Sequence, residues 1–261
     1  MLRWTMVSAS RKLERRVDPT HYPIHDDVGE GSLQTFIAEL LRPMIERYLA
    51  ERGTPTFVGA DQFIYYEQHN SKKCVAPDVY VIPGVPPGKV VGCWKTWEGV
   101  KPSFAFEIVS ADHGKDYLRS PPRYDAIGVA ELVIFDPEVG PGRHRWQVLR
   151  RVAGEGLVCV IASNADRVRS RVLGCWLRVV GEGESMRVRI ATGPRGDTLV
   201  ATPDELAACG RQEAARAREE AARAREEAAR AQEEAARLRL ELGRVAPASR
   251  RAKPKPPRGR R

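Results

Sequence analysis

Long hydrophobic runs are missing from this chain. No window approaches the length of a spanning helix, and the first residues, MLRWTMVSASRKLERR, contain no apolar stretch of signal-peptide length. These absences argue against a membrane protein and set the expectation of a soluble, cytoplasmic one. Closely paired cysteines are missing too. Cys74, Cys93, Cys159, Cys175 and Cys209 are odd in number and too far apart for a zinc knuckle, so they read as reduced thiols. Acidic residues are absent from residues 244–261, which hold eight Lys or Arg. Residues 1–202 carry little net charge, with 27 bases and 24 acids, and residues 203–243 hold eight Arg against ten acids. The overall +9 over 261 residues therefore comes largely from the tail. Charge of that sign favours contact with polyanions such as DNA, RNA or an acidic membrane surface.

Hydrophobic periodicity then divides the chain. Residues 1–24 read as a flexible arm. From Leu33 to Leu49 apolar residues recur at three and four, which predicts a helix; Gly53 and Pro55 stop it, and Pro43 predicts a kink or a break. Short β-branched or aromatic runs predict strands at Thr56–Val58, Gln62–Tyr66, Val79–Ile82, Phe104–Val109 and Leu132–Phe135. Pro121 and Pro122 open a short helix that carries Tyr124 and ends at Gly128. Trp146–Val152 and Leu157–Ile161 read as a hairpin, followed by strands at Cys175–Val180 and Met186–Ile190. From Arg211 to Ala231 the heptad REEAARA recurs, which makes residues 203–243 a helix supported by Glu–Arg pairs; alanine buries little area per turn, so it reads as a weak coiled coil joining copies of the chain or as a solvated single helix. The proline-containing basic tail, 244–261, is expected to be disordered.

Two acids stand where strands are predicted. Asp78 opens the strand of PDVYV, and Glu107 lies inside FAFEIV. A carboxylate in such a run is costly to bury alone but tolerated beside a cation or a partner. Two of them on adjacent strands would offer the hard oxygen donors that suit Mg²⁺ or Mn²⁺. The plainer alternatives are that Asp78 caps a turn and that Glu107 lies on an exposed strand face. Trp94 and Trp97, on either side of Lys95, suit stacking on bases or packing on the core; Glu39 and Glu46 suit a further ligand or a solvated helix face; His113 reads as a solvated loop side chain.

The segments VAPDVYVIP, FAFEIVS and RYDAIGVAELVIFDP, continued by GCWLRV and a TPDEL helix start, resemble the Uma (Uma-two) family of endonucleases. The resemblance covers roughly residues 25–208. It implies a restriction-endonuclease-like α/β fold of the PD-(D/E)xK superfamily over residues 25–202, with a mixed central sheet flanked by helices. It also implies that Asp78 and Glu107 bind the metal and that the substrate is nucleic acid, with DNA the expectation. In that superfamily a lysine lies two residues after the glutamate, which is Val109 here. In the Uma-like family it lies about four residues before the tyrosine, which is Ser120 here. Lys115 is the nearest lysine and takes the candidate catalytic role, with Arg119 and Arg123 as alternatives. An arginine stays protonated and makes a poor general base. The alternative functions are a degenerate nuclease that binds nucleic acid without cutting it and an interaction scaffold that acts through the helix of residues 203–243.

Overall fold

A computed structural model describes residues 18–23, 32–86, 92–110 and 112–245. Its frame is a six-stranded sheet built from β1 (Thr56–Gly59), β4 (Val79–Pro83), β6 (Phe104–Ile108), β7 (Glu131–Phe135), β8 (Trp146–Val152) and β9 (Gly156–Ser163), in that spatial order. β6 and β7 run parallel, and every other neighbour pair is antiparallel. The parallel pair requires a crossover, and residues 109–130 supply it with a π-helical turn, Lys115–Arg119, running straight into α2, Ser120–Ile127. Gly128 ends α2 in the left-handed region, φ 93°, and its N–H donates to the Tyr124 carbonyl at 3.2 Å.

The central strands are buried on both faces, which is why they read as continuous apolar runs instead of alternating ones. On one face Val79, Val81, Phe104 and Phe106 pack against Ile37, Leu41 and Ile45 of α1, Ser32–Glu51. Pro43 lies within α1 without ending it. Beyond α1 is a second, antiparallel sheet of β10 (Arg167–Arg169), β11 (Trp176–Val180), β12 (Arg187–Thr192) and β13 (Thr198–Leu199). On the opposite face Tyr80, Ile82, Ala105 and Ile134 pack against Tyr124 and Ile127 of α2. The same cluster takes in a small sheet of β2 (Ile64–Tyr65), β3 (Cys74–Val75) and β5 (Trp94–Lys95). The expected central sheet is thus joined by two further sheets, and the expected hairpin is β8–β9, with a bulge between Val148 and Leu149.

Of the segment expected to be a loose arm, residues 18–23 lie against the small sheet: Tyr65 donates to the Pro23 carbonyl at 2.6 Å, and the rings of Tyr22 and Tyr65 meet edge to face at 4.7 Å. Residues 1–17 and 246–261 lie outside the described residues, and the C-terminal helix runs past Gly243 through Arg244 and Val245, the first two residues of the segment expected as a basic tail. The chain divides into two compact units, Met1–Pro203 and Asp204–Arg261. The second contains α3, Pro203–Val245, in which every residue from Arg211 to Arg244 is exposed. Among the described residues no helix is long and apolar enough to cross a membrane, and all five cysteines are free thiols.

Candidate active site

β4 and β6 pair antiparallel with Val79 opposite Phe106. One step further along that register, Asp78 falls opposite Glu107. Directly opposed residues project to the same side of a sheet, with Cβ atoms about 4.5–5.5 Å apart. Both acids therefore project to the face covered by α2. Both are buried, at 8% and 7% exposure, so Glu107 is not on an exposed strand face. The Asp78 carboxylate accepts from the backbone N–H of Ile108, which ties it to the end of β6 and replaces a ladder bond where β4 begins.

Tyr124 reaches across from α2 and donates its hydroxyl to the Glu107 carboxylate. Burial, together with the negative charge of Glu107, holds this phenol well above its ordinary pKa, so it remains protonated and remains a donor. The Tyr124 ring packs in the α2-side cluster, and its hydroxyl fixes one of the two acids.

Asp116 went unnoticed in the sequence. It is 1% exposed and accepts from the Ser110 N–H at 2.7 Å and the Ser110 hydroxyl at 2.8 Å. Asp116, Ser120 and Tyr124, spaced four apart, are all buried on the inner side of the crossover helix. That spacing ending on an aromatic was the available signal. The basic candidates lie elsewhere. Lys115, Arg119 and Arg123 are exposed, and Arg119 pairs with Asp112. The two positions where a lysine was sought are buried and non-basic: Val109 packs in the α2-side cluster and Ser120 faces inward, each 5% exposed.

The remaining candidates fall outside this arrangement. Trp94 is buried, stacks on Phe57 with ring centroids 5.9 Å apart and donates to the Val100 carbonyl, which makes it a core residue. Glu46 pairs with Arg42, and Glu39 is exposed. Asp136 is fully buried and held by Arg143 through two hydrogen bonds of 2.6 and 2.7 Å.

Among the described residues no group of three or more His, Cys, Asp or Glu could hold a metal ion. Asp78 and Glu107 are the two expected acids that the strand register brings together. Two carboxylates at the end of a strand pair fit a hard cation that retains several waters, as Mg²⁺ does.

The family model named Uma2, described as "Putative restriction endonuclease", matches residues 27–180, more than half of the chain. That span contains both acids, the crossover and the hairpin. No curated protein matches the chain.

Proposed function

The chain belongs to the Uma2 family, and from that footing we propose that it is a divalent-metal-dependent endonuclease acting on DNA. The observation that carries this reading is the opposition of Asp78 and Glu107 on one face of the β4–β6 pair. These two carboxylates would hold Mg²⁺ or Mn²⁺, which when bound polarises a water and offsets charge on a phosphodiester. Tyr124 acts on Glu107: a buried, protonated phenol donating to one carboxylate oxygen fixes the side chain. Lys115, exposed on the crossover, contacts the substrate phosphate and stabilises charge developing on it. Residues 203–243 pair copies of the chain, and the basic tail adds sequence-independent phosphate contacts.

Supercoiled-plasmid cleavage with Mg²⁺ or Mn²⁺ tests this. We expect Asp78→Ala and Glu107→Ala each to lower the rate roughly 100-fold or more, the scale seen when one electrostatic contributor is removed. Wild-type rates in Asp78→Ala would sink the proposal.

Burial of Val109 and Ser120, neither of them basic, favours a second reading in which the same surface binds DNA without cutting it. Salt-dependent binding with no metal-dependent cleavage would be its signature. Ser120→Lys discriminates further, because it aims an ammonium at the inner face beside Tyr124. Cleavage gained by that variant alone would show that the acids are in place and that only the cation is missing.

A further inference from the structure

α3 is a helix of 43 residues whose surface from Arg211 onward is wholly exposed, and its sequence repeats every seven residues. Alanine recurs at three and four from Ala214 and Ala217, through Ala221 and Ala224, until Leu238 and Leu242 take over the same stripe. The alanines alone decide nothing, because alanine is simply the best helix former. The charges beside them decide more. One edge of the stripe carries Glu213, Glu220, Glu227, Glu234 and Glu241; the other carries Arg211, Arg218, Arg225 and Arg239, with Gln232 between the last two. Each edge thus carries charge of a single sign.

A solitary helix would account for only some of these charges. Arg216, Arg223 and Arg230 have glutamates three and four residues away and are served within their own helix. Arg211, Arg218, Arg225 and Arg239 have only alanine, leucine or glycine at those distances. For Arg218, Arg225 and Arg239 the glutamate edge of another helix offers a regular acidic counterpart.

We propose that α3 pairs with α3 of a second copy of this chain in a parallel, in-register coiled coil, its stripe of small and apolar residues forming the seam. In that orientation three edge glutamates meet an arginine five residues further along the partner helix, from both sides: Glu213 meets Arg218, Glu220 meets Arg225 and Glu234 meets Arg239, while Glu227 meets Gln232. In an antiparallel pair glutamate edges would face each other, as would arginine edges, so the charges select against it. The proposal rests on the reading that residues 203–243 pair copies of the chain, and adds direction and register. Connectivity through Pro203 then tethers both nuclease domains to the same end of a rod about 65 Å long, at 1.5 Å per residue.

The full-length protein tests this, with the exposed Cys159 and Cys209 replaced by serine. Ala214→Cys and Ala235→Cys, made separately, each place a thiol opposite its own copy in a parallel, in-register pair. Mild oxidation should give a disulfide-linked dimer with both. An antiparallel pair can bring only one of these positions together with itself, so crosslinking at one alone overturns the orientation and leaves the pairing reading standing. A monomer in sedimentation at high concentration overturns both. Glu220→Arg should weaken the dimer roughly tenfold, since two exposed ion pairs become repulsions, and adding Arg225→Glu should restore it. Helix content by circular dichroism should stay constant throughout. No restoration in the double variant, with helix content intact, would remove the register.

Discussion

At the scale of single residues, the hydroxyl of Tyr124 is the group whose removal should be felt twice. Tyr124→Phe leaves the ring in the core but withdraws a donor from the buried Glu107 carboxylate. We expect a stability loss of about 1–3 kcal/mol in chemical denaturation, the cost of leaving a buried polar group short of a partner, together with slower plasmid cleavage. Unchanged stability would show that Glu107 does not depend on the phenol. Asp136 offers a pH-dependent counterpart. Burial opposes its ionisation, but Arg143, Tyr117 and the Glu138 N–H outweigh burial and hold the carboxyl below its ordinary value. The stability it contributes is therefore fully present above about pH 4, the unfolded carboxylate range, and lost as pH falls through the lower folded value. Asp136→Asn should destabilise the protein clearly at pH 7, and the gap from wild type should narrow as the pH falls well below about 4. A constant gap across that range would rule out linkage through this group.

At the scale of elements, the crossover between β6 and β7 positions the site, and its end is set by one residue. Gly128→Ala forces a side chain into a left-handed turn at φ 93°, and should cost about 1–2 kcal/mol, read as a lowered thermal midpoint. Much of this architecture was legible beforehand. The apolar runs around residues 79–82, 104–109 and 132–135 announced strands, and the acids at 78 and 107 stood out because carboxylates are costly to bury in such runs. The opposition of those acids was not legible, since register depends on pairing between strands that are distant in the chain. Asp116 was hidden for a related reason: the π-helical turn at 115–119 precedes the prolines that suggested a helix start, so an inward-facing acid read as a loop residue. β2 falls inside the strand expected at Gln62–Tyr66, whereas β3 and β5, two residues each, are too short for any periodicity to declare them.

At the scale of the whole molecule, charge is distributed unequally, and the eight Lys and Arg of residues 244–261 supply most of the excess. Every phosphate that a basic side chain ceases to neutralise makes the slope of log K against log salt shallower by about 0.9. A chain ending at Gly243 should bind duplex DNA more weakly and with a visibly shallower slope. An unchanged slope would remove the tail from the interface.

The bulge between Val148 and Leu149 has a consequence for how the protein behaves in concentrated solution. β9 closes one side of the six-stranded sheet, and a closing strand with regular, flat geometry is a template on which foreign chains can add. An irregular step in the β8–β9 ladder increases the local twist and skews that margin. A stranger's backbone adding there would find no long straight row of donors and acceptors to copy.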